Sequence, residues 1–139
     1  MPVLSKPKVP YFTPDVRYCL ILGNSNYEAI RFPEKDANGN PVVDADGKPT
    51  IKGFADLPAV VEDMKIFKNN IKQYGFDSDL DIVKKENLSK KALRKLFNGY
   101  QRKISDNADL NRKTLTVVYY GGHGMMNDNY SQIVLPDSQ

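Results

Sequence analysis

The sequence has a single cysteine, and this scarcity limits what can hold the chain together. One cysteine cannot form an internal disulfide, which is typical of proteins that work in a reducing compartment such as the cytosol. No apolar stretch approaches the roughly 20 residues that a membrane-spanning helix needs, and no signal peptide is visible at the N-terminus. We therefore expect a soluble, cytoplasmic protein that has no membrane partner.

An excess of charge of one sign is also lacking. The 20 basic and 17 acidic residues are spread along the chain, whereas a nucleic-acid surface needs lysine and arginine concentrated on one face. One histidine and one cysteine cannot build a tetrahedral metal site. Nucleotide binding at Gly23-Asn-Ser-Asn26 is a weak alternative, because the glycine patterns of known phosphate loops are missing. No metal, cofactor or nucleic acid is predicted.

The length of the chain suits one domain. With 139 residues, 40% of them hydrophobic, it can bury one core but not two. Prolines crowd its beginning and oppose both helix and central strand, so we predict an extended arm over 1–15 and a single domain over 16–139. Asn-Gly and Asp-Gly pairs indicate turns within 34–53, which is predicted to be a surface insertion that could form a small hairpin.

The acidic residues of this insertion invite comparison with a calcium loop. From Asp36 or from Asp44, the glycine at position 6 and the glutamate at position 12 that such a loop requires do not fall into place. The spacing therefore does not favour calcium binding.

Hydrophobic periodicity predicts strands and helices in alternation. Amphipathic helices are predicted to begin near Leu57 and after Ser89, which is a candidate N-cap. Strands are predicted at 17–22, 79–83 and 115–120, a further strand or hairpin arm at 130–135, and loops at 106–113 and 125–129. The run 115–120 is too apolar for a half-exposed strand, so we expect a central strand that is covered on both faces. The alternation predicts a doubly wound α/β fold, of which about half is present.

The only histidine, His123, follows that last apolar strand directly. Glycines at 121, 122 and 124 surround it and leave the backbone free to turn. In open α/β sheets, the carboxyl ends of the strands are where the chemistry takes place. An imidazole at such a place can act as acid and base near neutral pH. We therefore predict that His123 is catalytic rather than structural.

Three segments resemble the caspase-like cysteine peptidases, especially metacaspases and paracaspases. Tyr119-Tyr-Gly-Gly-His-Gly124 is similar to their catalytic-histidine motif, Tyr-Tyr-x-Gly-His-Gly. Cys19-Leu-Ile-Leu-Gly-Asn-Ser-Asn-Tyr27 resembles their first core strand and its loop. Leu57-Pro-Ala-Val-Val-Glu-Asp-Met64 with Tyr74-Gly-Phe76 resembles their first helix and the approach to the second strand. The order agrees over roughly 16–137, and it implies a three-layer sandwich with helices on both faces of a mostly parallel sheet, incomplete in this chain.

The resemblance also implies roles for individual residues. His123 would be the general acid and base, and the Gly124 N–H would be an oxyanion donor at a place where a side chain would crowd the carbonyl under attack. Gly122 would let the substrate backbone lie across the strand end. Asp63 would help to line a pocket for a basic side chain, which implies cleavage of a peptide or protein substrate after Arg or Lys. Arg31 is the candidate for binding an acidic side chain, as in true caspases.

The cysteine that supplies the thiol nucleophile in this family has no counterpart in the three matching segments. In caspases the cysteine follows the histidine by roughly 50 residues, whereas the sequence ends at Gln139. Cys19 lies inside the predicted first strand, so we expect a buried, inert thiol. The chain alone is expected to be inactive, with the nucleophile on a companion chain or segment that also pairs with the apolar histidine strand. Truncation, or a catalytically inactive scaffold or interaction module, is the alternative.

Overall fold

A computed structural model describes residues 13–77 and 79–137. In chain order its strands and α-helices are β1 (Val16–Gly23), β2 (Phe32–Pro33), β3 (Ile51–Lys52), α1 (Ala59–Ile71), β4 (Ile82–Glu86), α2 (Lys90–Asp109), β5 (Thr114–Gly121), β6 (Gly124–Asn127) and β7 (Tyr130–Ile133). The predicted arm over 1–15 lies outside the described residues except for 13–15. Neither α-helix in the described part combines the length and the apolar character that crossing a membrane requires.

Three parallel strands form the main sheet in the order β4-β1-β5. Successive side chains of β1 point to opposite faces, so Cys19 and Ile21 pack in the cluster that includes α1, whereas Leu20 and Leu22 pack in the cluster that includes α2. Helices therefore cover both faces of a parallel sheet. This arrangement confirms the predicted α/β class and is consistent with the three-layer sandwich.

The histidine-bearing strand β5 lies at the edge of this sheet and not at its centre. Only β1 pairs with β5 among the described residues, and Val118 on its α2 side is 50% exposed. The prediction that both faces of this strand are covered is therefore wrong at Val118, whereas the open edge agrees with the expectation that a companion segment pairs with this strand. The apolar sequence of β5 is typical of an interior strand, yet here one edge and part of one face are open.

Several predicted boundaries shift. β4 begins at Ile82 and not at 79, because Asp77 organises a turn before it: the Asp77 side chain accepts from the Asp79 N–H at 2.9 Å, and its carbonyl accepts from the Asp81 N–H at 2.9 Å. The second helix begins after Ser89, whose Oγ accepts from the Ala92 N–H at 3.1 Å, so the predicted N-cap is confirmed.

Helix α2 runs further than the sequence predicted. The residues 106–109, predicted to be loop, are its last turn. The amide of Asn107 is buried there and donates to the Tyr18 hydroxyl at 2.9 Å, which ties the end of the helix to β1. The helical spacing of apolar residues from Leu57 to Tyr74 predicts that Tyr74 lies on the core face of the first helix. Tyr74 is exposed instead, because α1 ends at Ile71.

The segment predicted as a surface insertion, 34–53, is mostly exposed and closes at its base through the pairing of β2 with β3. It contains two matching turns, eight residues apart. Asp36 Oδ1 accepts from the N–H groups of Asn38 and Asn40, and Asp44 Oδ1 accepts from those of Asp46 and Lys48. The carboxylates thus cap their own turns, which accounts for the acidic spacing.

Three backbone hydrogen bonds join these turns into a closed ring. Val42 N–H donates to the Glu34 carbonyl at 3.0 Å, Thr50 N–H to the Val42 carbonyl at 2.9 Å, and Glu34 N–H to the Thr50 carbonyl at 2.9 Å. The insertion is therefore held together mainly by its own backbone.

After His123 the chain forms a second hairpin. β6 occupies positions that were predicted as a loop, and it pairs with β7 across the short turn at Asp128. The Val134 N–H donates to the His123 carbonyl at 2.9 Å, so the hairpin starts directly at the histidine.

Candidate active site

The carboxyl ends of β1 and β5 lie side by side, with Gly23 opposite Gly121. A Cβ on Gly23 would collide with Met64 Sδ and lie 2.8 Å from Val60 Cγ1, and one on Gly121 would lie 3.2 Å from the same Val60 atom. These two glycines therefore let the first turns of α1 rest on the strand ends. The need for glycine at 121 comes from this packing.

Glycine at 122 is required by two tyrosines. A Cβ there would press against Tyr120 Oη and lie 2.7 Å from Tyr27 Oη. Tyr27 is fully buried, and its Oη accepts a hydrogen bond from the His123 N–H at 2.8 Å. Tyr120 Oη lies 3.1 Å from the His123 carbonyl, to which it donates. Two hydroxyls thus hold the backbone of the histidine, one on its N–H and one on its carbonyl.

The Tyr120 hydroxyl remains a donor at any physiological pH. Burial raises the pKa of Tyr120 to about 12, and a hydrogen bond with Tyr27 contributes in the same direction. The Asn24 side-chain amide donates to Tyr120 Oη at 3.3 Å and to the Val134 carbonyl at 3.2 Å. The loop after β1, the histidine and the second hairpin are therefore joined by one buried hydrogen-bond network.

The imidazole of His123 is fixed by a carbonyl and two aromatic rings. Its Nε2 lies 2.8 Å from the Ala55 carbonyl oxygen. Because a carbonyl can only accept, Nε2 must carry the proton, and Nδ1 is then the free nitrogen of the neutral ring. The rings of Tyr27 and Phe54 lie at centroid distances of 4.7 and 5.0 Å from the imidazole. The side chain is therefore oriented with Nδ1 as its base.

The N–H of Gly124 points away from the hairpin. Gly124 pairs with Ile133, and the bond from the Val134 N–H to the His123 carbonyl makes this a pair without mutual hydrogen bonds. A Cβ on Gly124 would come no closer than 3.5 Å to the carbonyl oxygen of Gln132, an ordinary contact. Unlike Gly122, Gly124 thus has no packing reason to be glycine within the described residues.

Arg31 is brought near the histidine by the segment that also holds the imidazole. Its Nη2 lies 3.2 and 3.3 Å from the two carboxylate oxygens of Asp56, the residue after Ala55. Asp56 Oδ1 accepts in addition from the Tyr27 N–H at 2.8 Å. The guanidinium is thus already paired with a carboxylate.

Asp63 lies in the first half of α1 and is exposed, and no hydrogen bond or ion pair joins its side chain to His123 or to another described residue. Its neighbour Glu62 pairs with Lys65 at 3.8 Å. The structure therefore brings His123, Gly122, Gly124 and Arg31 together, while Asp63 is linked to them only through the packing of Val60 and Met64 against the strand ends.

An apolar cavity of about 480 Å³ opens beside this site. Phe54, which contacts the imidazole, forms one wall together with Phe32 of β2. Met125 and Ile133 of the second hairpin lie opposite. A peptide bound next to His123 would find here a place for an apolar side chain.

Cys19 is remote from this chemistry. Its side chain is fully buried in the core beneath α1, and burial raises the pKa of the thiol to about 11. This confirms the sequence-based expectation of a buried thiol.

We predict that iodoacetamide at pH 8 leaves Cys19 of the native protein unmodified for hours and modifies it rapidly in urea. At that pH only about one thiol in a thousand would be ionised, and the reagent has no access. Intact mass over time provides the measurement, with the urea-unfolded chain as the control for reagent quality. Rapid stoichiometric labelling under native conditions would show that the Cys19 thiol is reactive and would contradict the prediction.

The groups that orient the histidine come from distant parts of the chain. Tyr27 and Tyr120 belong to the segments whose sequences resemble the peptidase motifs, so these two tyrosines could be identified from the sequence. Ala55 and Phe54 carry no such signal, since a backbone carbonyl is available at any residue and its position depends on the path of the chain.

A family model described as the caspase domain matches residues 16–138 of this sequence, almost the whole chain. No curated protein and no solved structure shows significant similarity to it.

Proposed function

Because the chain belongs to the caspase-domain family, we propose that it is the histidine-bearing part of a cysteine endopeptidase of the metacaspase and paracaspase type. The observation that carries this proposal is the bond from His123 Nε2–H to the Ala55 carbonyl, 2.8 Å long, at the end of β5. This bond selects the tautomer in which Nδ1 can accept a proton. A thiol peptidase requires such a base within hydrogen-bond reach of its nucleophile.

His123 acts twice in the proposed mechanism. Its Nδ1 takes the proton of a cysteine thiol supplied by a segment outside this chain, and the thiolate attacks the scissile carbonyl. The imidazolium then gives the proton to the leaving amine as the scissile C–N bond breaks, which releases the first product and leaves the acyl group on the cysteine as a thioester. Nδ1 next takes a proton from a water molecule that attacks this thioester, and its return to the departing sulfur releases the second product and restores the thiol. The Ala55 carbonyl carries no net charge, so it accepts the hydrogen bond from Nε2–H and orients the ring without the ionic stabilisation of the imidazolium that a carboxylate would supply.

The Gly124 N–H is the proposed donor to the oxyanion. It follows the catalytic histidine directly and is directed away from the β6–β7 ladder. A preorganised N–H of this kind stabilises the negative charge that develops on the carbonyl oxygen in the tetrahedral intermediate.

The free edge of β5 is the proposed docking place of the cysteine-bearing segment. A parallel strand added there would end next to His123, because the carboxyl ends of parallel strands meet at one edge of the sheet. The open backbone of β5 and the exposed side chain of Val118 support this proposal. The expected compartment is the reducing cytosol, which keeps a catalytic thiol active.

We propose cleavage after Arg or Lys, with Asp63 as the carboxylate that binds the basic side chain. Arg31 is a poor receptor for an acidic side chain, because Asp56 already pairs with its guanidinium at 3.2 Å. Asp63 is exposed and makes no ion pair among the described residues, so its charge is available to a substrate.

We predict that Asp63→Ala abolishes turnover of a fluorogenic peptide ending in Arg when the protein is assayed together with the cysteine-bearing segment. Loss of a paired carboxylate from a specificity pocket costs at least about a hundredfold in kcat/KM. Glu62→Ala is the matched control, since it removes the neighbouring carboxylate of the same helix and should leave the rate unchanged.

Unchanged kcat/KM in Asp63→Ala would remove Asp63 from the pocket. If the protein with its cysteine segment cleaves no peptide, whether the peptide ends in Arg, Lys or Asp, the fold instead serves as an inactive scaffold, and the peptidase proposal fails.

A further inference from the structure

A second apolar depression lies between β4 and α2, and the residues that hold the histidine do not line it. It has a volume of about 450 Å³. Its floor is formed by Leu88, Leu96 and Tyr100, and Gly99 lies beside them. Lys85, Lys95 and Lys103 stand around it. We call this depression the α2 groove, and nothing in the peptidase mechanism uses it.

The position of α2 on the sheet leaves this groove open. On the α2 face, β1 contributes Leu20 and Leu22 to the core, while the outer strand β4 contributes Val83 and then Lys85. The free edge of β5, where a further strand could add, lies on the opposite side of β1. A strand that extends the sheet at β5 would therefore leave the α2 groove uncovered.

The lysines at the rim lack acidic partners. The ion pairs among the described residues join Arg31 to Asp56, Lys52 to Glu34 and Lys65 to Glu62, all elsewhere in the fold. Lys103 Nζ lies instead 4.8 Å from the centre of the Tyr100 ring. The rim thus presents three positive charges that the described part of the chain does not neutralise, above an apolar floor.

Gly99 gives an independent indication of a ligand. It lies in the middle of α2, where glycine destabilises a helix relative to alanine. A Cβ at this position would meet no atom within 4 Å, so the fold itself does not require glycine there. A glycine on an open helix face lets the backbone of a second element approach closely.

The shape of the surface favours a helix as its occupant. Ala92, Leu96, Gly99 and Lys103 are spaced i, i+4, i+7 and i+11, so they form one stripe along α2, about 17 Å long. Strand addition at the free edge of β4 is disfavoured, because Lys84 and Lys85 lie on that strand, and edge lysines discourage pairing.

We propose that the α2 groove docks an amphipathic helix of another protein, with apolar side chains on the floor and Asp or Glu residues against Lys85, Lys95 and Lys103. The charges give specificity and speed of association, and the apolar stripe gives most of the affinity. This site is independent of the proposed peptidase activity.

The test is a random-peptide phage selection on the purified protein, followed by fluorescence anisotropy with the synthetic peptides that are enriched. We expect acidic sequences with apolar residues three and four apart, which gain helical circular dichroism on binding. Lys95→Glu should weaken binding at least about fivefold, and Gly99→Leu by more than about tenfold. Lys91→Glu and Asn98→Leu, exposed neighbours outside the groove, are the matched controls.

Gly99→Leu should also raise the melting temperature, since leucine is the better helix former, so weaker binding in this variant cannot come from unfolding. A peptide whose carboxylates are changed to lysine should bind Lys95→Glu better than the wild-type protein. Enrichment of peptides without acidic residues, or equal affinities for all four variants, would overturn the proposal.

Two further outcomes would also overturn it. The first concerns the molar mass of the protein measured by light scattering. If this mass doubles at high concentration in the wild type but stays at one copy in Gly99→Leu, the occupant of the groove is a second copy of the chain. The second is that the protein sediments with phosphatidylserine vesicles, that Lys95→Glu abolishes this sedimentation, and that no peptide binds.

Discussion

His123→Ala is expected to lower kcat/KM for an Arg-ended peptide by about a thousandfold or more when the protein is assayed with its cysteine-bearing segment. The variant would lose the proposed base for the thiol and the proposed acid for the leaving amine, and such groups contribute up to about four orders of magnitude. The fold should survive, because Tyr27 and Tyr120 hydrogen-bond to the backbone of His123 and not to its ring. Progress curves with a fluorogenic substrate provide the measurement.

Cys19→Ala is the control for this experiment. Its thiol is buried and its pKa is raised to about 11, so its loss should cost some core packing and no activity at temperatures well below the melting point. Retention of more than about a tenth of the rate in His123→Ala would show that another group is the base. Inactivity of Cys19→Ala in a folded state would mean that the core thiol takes part.

Gly122→Ala is expected to destabilise the protein by about 2 to 3 kcal/mol, the upper range for inserting a methyl group into a packed site. The new Cβ would press against Tyr120 Oη and lie 2.7 Å from Tyr27 Oη, and Tyr27 has no room to move because it is fully buried. Both tyrosines would shift away from the histidine backbone that they hold. Urea unfolding followed by circular dichroism measures the free energy of unfolding.

Gly124→Ala is the matched control, two residues away in the same glycine-rich segment. Its Cβ would make only an ordinary contact of 3.5 Å with the Gln132 carbonyl oxygen, so the free energy of unfolding should stay within about 0.5 kcal/mol of the wild type. If Gly124 has its proposed role as oxyanion donor, the same methyl group should lower kcat in an assay with the cysteine-bearing segment, because it would lie next to the carbonyl under attack. Equal stabilities for the two variants would show that the tyrosines do not confine Gly122.

Much of the fold could be predicted from the sequence because the patterns are local. Alternation along β1 places Cys19 and Leu20 on opposite faces, and the helical repeat of Val60 and Met64 identifies the buried side of α1. Ser89 was recognisable as an N-cap from its type and its place before an amphipathic run. These features depend on neighbours within a few positions of the chain.

The errors in the predicted boundaries arose where contacts outside the local hydrophobic pattern determine the structure. Asn107 extends α2 because it finds the Tyr18 hydroxyl, 89 positions away, and no local pattern contains that partner. The turn at Asp77 displaced β4 because a carboxylate can bond to the backbone two residues on, which competes with extending the strand. The exposure of Val118 depends on how far α2 covers the sheet, which the sequence of β5 does not contain. The open edge of β5 was expected, because the resemblance puts the next strand outside this chain.

The candidate site shows the same division. The glycine-flanked motif around His123 was visible in the sequence, and the structure supports a fixed imidazole at that place. The sequence did not show why each position is glycine. A Cβ would meet Val60 of α1 at Gly121 and two tyrosines at Gly122, but only an ordinary contact at Gly124. The partner of Nε2 was invisible, since the Ala55 carbonyl is contributed by backbone alone.

The ring of backbone bonds in the insertion has a practical consequence. The three backbone bonds of the ring join Glu34, Val42 and Thr50 to one another, and none of these bonds reaches the residues that hold the histidine. A fluorophore or affinity tag spliced into the exposed turn at Gly39 should therefore report on the protein without disturbing its chemistry, because exposed turn tips tolerate insertions best. The chain thus offers a built-in attachment point for single-molecule and pull-down work.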